Sequence, residues 1–425
     1  MSRLNVFYED QIVGTLIRDS ELIYSFSYSE EWLENAQAFQ LSLAMPLQEE
    51  AFGNKVTLSF FENLLPEGEA RDALEKSQEL ESTYDFLQKF GEDCAGAVIL
   101  SEDDESPFNP DSNEAEVKIA MKEIFQAIDE KRSVAEVIAS HDPGYLSIAG
   151  AQDKFTAIYR DEKFYLPRGG RPTTHIVKVP IYRSGVKESV YNEYYCMKLA
   201  GRVGLSVPEC FVLDHPDHPL FIIERYDRLE CEGVKRIHQQ DFCQAQGFVS
   251  ENKYEAKGGP SLKDNYQLVK SNVAVAKRKK ALFDFLDWVC FNLLIGNNDS
   301  HSKNISFLLE QGKIELAPFY DLICTAIYPK LKKNLSFKIG DRDDASRIGK
   351  SQFAKLDEEL GLKIGTMGSR AVEMKDKLLA HKDKLADEIN DQLPNAKIIN
   401  RVSDLIGNRC KALERQGVVK LGSNR

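Results

Sequence analysis

The sequence predicts an α+β chain of 425 residues, enough for two or three domains or one large bilobal enzyme. Three observations predict this. Period-two alternation of apolar residues recurs in the first half, as in Leu4, Val6 and Tyr8. Beyond residue 235 the periodicity is mainly helical, through a tail over 353–415 that alternates apolar and charged residues. An acidic stretch rich in Pro, Asn and Ser, from Ser101 to Glu116, reads as an exposed linker between differently patterned segments.

Taken in order, residues 3–26 predict three antiparallel strands, with Glu9-Asp10-Gln11 as the first turn. Ser59-Phe60-Phe61-Glu62 has capping-box spacing and predicts a helix opening toward Leu65, broken at Pro66-Glu67-Gly68. A charged helix follows to Leu80, then a short one from Thr83, then a strand over Ala95 to Leu100. Two amphipathic helices are expected over about 114–130 and 133–140, the second with a capping box at Ser133. Strands are expected at Phe155–Tyr159, Phe164–Leu166 and Thr174–Val179, a helix over Val190–Val203, and strands at Leu213 and Leu220–Ile223. Ala281 to Ile295 reads as a mostly buried helix closed by Gly296, and Ile305–Leu309 as a strand. No internal repeat or coiled coil is visible.

Composition narrows the classes. Apolar residues make up 42% and charged residues 29%, which predicts a sizeable core. Acidic residues number 67 against 55 basic, a net charge of −12, which argues against a whole-surface grip on nucleic acid. No uninterrupted apolar run is long enough to span a membrane, and the N-terminus lacks the apolar core of a signal peptide. The eight cysteines form no CxxC pair and read as reduced, buried thiols of a cytoplasmic protein.

The chemistry concentrates in Gly296-Asn297-Asn298-Asp299-Ser300-His301-Ser302-Lys303-Asn304 and the following Phe319-Tyr320-Asp321. Phosphoryl transfer from a Mg-nucleotide needs a carboxylate to orient or deprotonate the attacking hydroxyl, and oxygen ligands for a hard cation. Asp299 and Asn304 stand in D-x-x-x-x-N spacing, that of a protein-kinase catalytic loop, and Asp321 follows the next hairpin. The same residue types also build ordinary turns. His301 is read as a structural hydrogen-bonding group, and Lys303 as a residue that reaches phosphate or faces solvent. Lys178 lies in the apolar strand Ile176-Val177-Lys178-Val179, where it is costly without a partner; Glu193 is the candidate, and an outward-facing edge lysine is the alternative. The loop Ser147 to Lys154 matches no standard phosphate-loop motif; its place before the Lys178 strand is what singles it out. Glu224 and Tyr226 end a β-run where backbone groups would meet adenine at a hinge. His215 and His218 lie in a Pro-rich turn, and Lys277-Arg278-Lys279-Lys280 is a solvated helix start.

Together these segments resemble the HipA family. The resemblance rests on Leu146 to Lys154, Thr174 to Lys178, Asn192 to Cys196, Glu224 to Arg228, Asp299 to Asn304 and Phe319 to Asp321 in that order, with Phe61 to Gly68 near the N-terminus. It implies a bilobal protein-kinase-like fold, related to phosphatidylinositol and eukaryotic protein kinases. It implies a small β-rich N-terminal subdomain over 1–110, the rest of the N-lobe over 111–228, and a large helical C-lobe over 229–425. It further implies a type II toxin–antitoxin serine/threonine kinase using ATP and Mg²⁺. Asp299 would be catalytic, and Asn304 and Asp321 the metal ligands. The ATP-binding set would be Ala149, Gly150, Ala151, Gln152, Asp153, Lys154, Lys178, Glu193, Glu224, Tyr226, His301, Lys303, Asn304 and Asp321. Ser147 would be the autophosphorylated serine. Implied partners are a HipB-like helix-turn-helix antitoxin dimer, operator DNA through that complex, and glutamyl-tRNA synthetase as substrate. A catalytically silent co-repressor and a small-molecule phosphotransferase are the alternatives.

Overall fold

The computed structural model describes residues 1–109, 115–141, 150, 152–231, 233–310 and 312–418. Strands β1 (Ser2–Tyr8), β2 (Gln11–Arg18) and β3 (Tyr24–Tyr28) lead into helices α1 (Glu30–Glu34), α2 (Asn54–Phe61), α3 (Gly68–Gln78) and α4 (Thr83–Phe90). Next come β4 (Val98–Ser101), β5 (Val117–Ile119), α5 (Met121–Asp129), α6 (Val134–His141), β6 (Lys154–Arg160), β7 (Lys163–Leu166) and β8 (His175–Lys178). The chain continues through α7 (Ser189–Arg202), β9 (Cys210–Leu213), β10 (Leu220–Glu224), β11 (Arg228–Cys231), β12 (Gly233–Arg236), β13 (His238–Asp241) and α8 (Phe242–Gln246). Helices α9 (Leu262–Asn272) and α10 (Val275–Ile295), strands β14 (Ser306–Glu310) and β15 (Lys313–Leu316), and helices α11 (Lys350–Leu360), α12 (Thr366–Gln392) and α13 (Ile398–Arg415) complete it.

These elements form two compact units. The first comprises Met1–Val179, Ile222–Ser250 and Phe307–Ile314; the second comprises Pro180–Phe221, Glu251–Ser306 and Glu315–Arg425. In the first unit the predicted N-terminal strands form an antiparallel sheet ordered β3-β2-β1-β4. A second antiparallel ladder runs β5-β7-β6-β8. Leu4, Val6, Leu16 and Phe26 are fully buried; β3 alternates buried and half-buried residues, whereas the inner strand β1 is buried on both faces, Asn5 and Phe7 included. The second unit is a helical assembly in which α12 packs on α7, α10, α11 and α13 around buried Tyr195, Trp288, Leu378 and Ile406. Among the described residues no helix is long and apolar enough to cross a membrane.

Four local expectations are corrected. Ser59 lies in the last turn of α2, not at a helix start, and its hydroxyl donates back to the Val56 carbonyl at 2.6 Å. The expected helix over 114–130 begins as strand β5, because Val117 and Ile119 pair with β7; only Met121–Asp129 is helical. No reciprocal capping box forms at Ser133. Instead the Asp153 carboxylate, from a distant loop, accepts from the Ser133 hydroxyl and the Val134 amide at 2.8 Å each. Cys231 is exposed, unlike the other seven cysteines.

The stretch Glu224 to Arg228, read from sequence as a hinge, supplies most of a buried charge network in the first unit. The Arg225 guanidinium donates to both Asp227 oxygens, at 3.0 and 2.9 Å, and to Asp93 at 2.9 Å. Arg228 reaches the other Asp93 oxygen at 2.9 Å, and Arg236 approaches it at 3.3 Å. The Thr173 hydroxyl also donates to Asp93. Burial alone would raise the Asp93 carboxyl; Arg225, Arg228 and Arg236 more than offset it and hold it well below the ordinary carboxylate range. Burial and the neighbouring Arg225 pull Arg228 down to about 10.

Removing one partner leaves buried charge uncompensated, at a cost of about 3–5 kcal/mol. Asp93→Asn is therefore expected to lower stability by about that amount, read as a drop in urea midpoint at pH 7. Because Asp93 is depressed in the folded state, its contribution is present above about pH 4 and is lost as pH falls further. The difference between the two proteins should narrow in acid; a constant difference down to pH 3 would contradict the assignment.

Candidate active site

Helix α10 ends where Gly296 takes the left-handed conformation at φ +78°, and its amide caps the Asn292 carbonyl at 3.1 Å. The next residues are polar and buried, so each backbone group needs a partner. Asn297 supplies several. Its side-chain amide donates to the Asn292 side chain at 2.8 Å and to the Asp321 carbonyl at 3.2 Å. Its oxygen accepts from the Asp299 amide at 3.1 Å. Asn298 is held by Thr325, whose hydroxyl accepts the Asn298 amide at 2.8 Å, and by Ser336, which donates to the Asn298 carbonyl at 2.9 Å. Asn304 donates from its side-chain nitrogen to the Asp299 carbonyl at 3.1 Å, which turns its amide oxygen away from that bond.

Asp299 is thus the one exposed residue between Asn292 and Phe307. Its backbone is fixed on both sides and its carboxylate faces solvent. Asp321 is placed by the same frame and sits at φ +58°, a region Asp tolerates at a cost of about 1–3 kcal/mol. The flanking residues hold it there. Phe319 stacks on Trp288 with centroids 6.0 Å apart, and the Tyr320 hydroxyl donates to the Lys303 carbonyl at 2.6 Å. His301 and Lys303 are both buried. Within the second unit the structure therefore brings Asp299, His301, Lys303, Asn304 and Asp321 together. Asn304 and Asp321 offer an amide and a carboxylate oxygen, a donor chemistry that fits a hard divalent cation.

Sequence reasoning passed over Tyr254. Its hydroxyl donates to the Asp299 carboxylate at 2.7 Å, and its ring meets His301 edge-on at 5.1 Å. It precedes a short 3-10 turn in a polar segment without periodicity, so only the three-dimensional contact reveals it.

In the first unit, Lys154 and Lys178 stand directly opposite each other on β6 and β8. The register therefore sets two positive charges side by side on one face of the ladder. Gly150, at φ +118°, lies beside Lys154: a Cβ there would come within 2.7 Å of the ammonium nitrogen. The Gly150 carbonyl accepts from the Glu67 amide at 3.0 Å, so the Pro66-Glu67 segment helps place Gly150. These features fit a polyphosphate group. Gln152 donates to the Val179 carbonyl at 2.8 Å, and the Asp153 carboxylate is occupied in capping α6. Glu224 is exposed at the end of β10, and Tyr226 bonds Gln239 through its hydroxyl. Glu193 is buried on α7 of the second unit. Ser147, Ala149 and Ala151 lie outside the described residues.

The chain is similar to known proteins over nearly its whole length. A family model described as the HipA N-terminal domain matches residues 4–101, and one described as the HipA-like C-terminal domain matches residues 146–388. The putative kinase Y4mE of Sinorhizobium fredii is 32% identical over 418 residues, covering 96% of this chain and 97% of that protein. The serine/threonine-protein kinase toxin HipA of Shewanella oneidensis is 30% identical over 373 residues, covering 84% and 83%. A solved complex of Shewanella oneidensis MR-1 HipA, HipB and operator DNA superposes with a TM-score of 0.81 at 26% identity, covering 98% of this chain and 100% of that one.

Gly296 carries a direct test of the loop frame. A Cβ there would lie 2.9 Å from that of Ala326 and 3.2 Å from the Arg409 guanidinium, on a backbone that costs an L-residue about 1–2 kcal/mol. Gly296→Ala is expected to lower the thermal midpoint by a few degrees and to speed amide exchange at Asn297 to Asp299. Unchanged exchange there would show that the loop does not depend on this turn.

Proposed function

The chain belongs to the HipA family, and on that premise we propose that it is the kinase of a type II toxin–antitoxin module, transferring phosphate from Mg-ATP to a serine or threonine hydroxyl. The single observation that carries this reading is the exposed Asp299 carboxylate on an otherwise buried, fully braced loop, with Asn304 and Asp321 tied to the same loop.

In this reading Asp299 receives the acceptor hydroxyl, orients its lone pair toward the transferred phosphoryl group and takes its proton as the bond forms. Asn304 and Asp321 would hold Mg²⁺ through oxygen. Bound there, the cation would supply charge neutralisation at the phosphates. Burying Asn304 and straining Asp321 keeps both in place before any ligand arrives. Lys154 and Lys178 contribute positive charge for the phosphates, and Gly150 lets the backbone approach them. By the family pattern Ala149, Ala151, Gln152, Asp153, Glu193, Glu224, Tyr226, His301 and Lys303 complete the ATP-binding set. Asp153 acts there by shaping its loop, since its carboxylate caps α6.

We assign Ser147 as the autophosphorylation site, and glutamyl-tRNA synthetase as the substrate whose modification arrests translation. We assign a HipB-like helix-turn-helix dimer as the antitoxin, by likeness to the Shewanella complex. With a net charge of −12 the chain is a poor DNA ligand by itself, so operator binding and co-repression fall to the antitoxin.

Asp299→Asn is expected to reduce labelling of glutamyl-tRNA synthetase by at least about 100-fold at saturating ATP. Calorimetric affinity for a non-hydrolysable ATP analogue should change little. Asp321→Ala should instead raise the Mg²⁺ concentration required for half-maximal nucleotide binding. Retained turnover in Asp299→Asn would remove this residue from the chemistry.

A further inference from the structure

We propose that Tyr254 is a positioning residue for phosphoryl transfer, fixing which Asp299 oxygen meets the acceptor hydroxyl. The inference rests on the kinase reading above and adds a residue which that reading does not contain.

The Tyr254 hydroxyl occupies Asp299 Oδ1 at 2.7 Å. A carboxylate on a solvent-facing loop otherwise turns freely about χ2, since that torsion is broad. One donated hydrogen bond removes that freedom and leaves Oδ2 as the oxygen presented outward. An ordinary surface contact between a tyrosine and a carboxylate carries little energy, so the setting decides the matter. The Tyr254 ring is confined on several sides. His301, itself buried, meets it edge-on. The ammonium groups of Lys332, Lys253 and Lys257 lie 4.7, 5.6 and 5.9 Å from its centroid, within cation–π range.

The segment carrying Tyr254 is also keyed to the frame that carries Asp299. Glu255, the next residue, donates its amide to the Ser336 carbonyl at 3.4 Å and accepts the Lys338 amide on its side chain at 2.8 Å. Ser336 in turn donates to the Asn298 carbonyl, and Asn298 donates from its side chain to the Lys332 carbonyl at 3.2 Å. Both ends of the Tyr254–Asp299 bond are thus mounted on the same stretch, Lys332 to Lys338. A hydroxyl held this way sets the aim of a base to the tolerance that proton transfer demands, where a misplacement of about 1 Å costs about 100-fold.

The test is Tyr254→Phe, which keeps the ring and its lysine contacts and removes only the hydroxyl. Incorporation of labelled γ-phosphate into bacterial lysate protein is measured across ATP concentrations, alongside the thermal midpoint. The expected result is a rate at saturating ATP lower by about 10- to 100-fold, with the KM for ATP and the midpoint unchanged. In an Asp299→Ala background, the same substitution should produce no further loss. An active wild type with an equally active Tyr254→Phe, or a loss that persists in the Asp299→Ala background, overturns the positioning role alone. A wild-type chain that labels no lysate protein overturns the kinase reading, and the role falls with it.

Discussion

The Asn297 side chain is the bond on which the second unit's chemistry depends. Its amide nitrogen spans from the end of α10, at Asn292, to the Asp321 carbonyl, while its oxygen holds the Asp299 amide. The polar loop it braces is buried at nearly every position. Each backbone group left unsatisfied there costs about 1–3 kcal/mol, more than a typical hydrogen bond returns. A short segment whose backbone groups are held by Asn, Thr and Ser side chains therefore favours one arrangement. That arrangement tolerates an exposed carboxylate at Asp299 and a strained backbone at Asp321, because the surroundings determine both.

The first unit handles polarity differently. Asp93, Arg225, Asp227, Arg228 and Arg236 are all buried, yet each carboxylate oxygen meets guanidinium groups or nearby donors. The network joins the loop before β4 to the strands after β10, segments about 130 residues apart. Such networks contribute modest net stability but exclude wrong pairings, since any register that strands a buried charge is strongly penalised. Lys154 and Lys178 are brought together by strand register. Their cross-strand register sets like charges together. The sheet beside that cluster thus carries two positive charges in one cross-strand pair.

Much of this was legible from sequence, and the limits are physical. Strand alternation placed β1 to β3 and β6 to β8, and the buried run ending at Gly296 placed the end of α10, because period and left-handed caps are local properties. The D-x-x-x-x-N spacing marked the loop because chemistry constrains residue type there. The capping-box spacing misled at Ser59; at Ser133 it marked the start of α6, where the Ser133 hydroxyl accepts from the Ala135 amide. Four-residue patterns recur by chance: the Ser59 hydroxyl bonds within its own helix, and the Ser133 hydroxyl donates to Asp153, twenty residues on; separately, pairing of β5 with β7 displaced the expected helix start at 114. The role of Arg225 was invisible because its decisive partner, Asp93, lies 132 positions away. Tyr254 was missed for the same reason, standing 45 residues before the carboxylate it touches.

The placement of Tyr254 also bears on how the loop came to be so heavily braced. A base working on a free hydroxyl gains nothing from stability as such; it gains from having one orientation. Burial secures the backbone of Asp299 but leaves its carboxylate, the only part that acts, outside the packed region. The remaining freedom lies in χ1 and χ2 of the side chain, and a hydrogen bond from outside the loop restricts it. Main-chain bracing by Asn297 and Asn304 and side-chain bracing by Tyr254 are therefore complementary. The first fixes where the carboxylate begins, and the second fixes where it points.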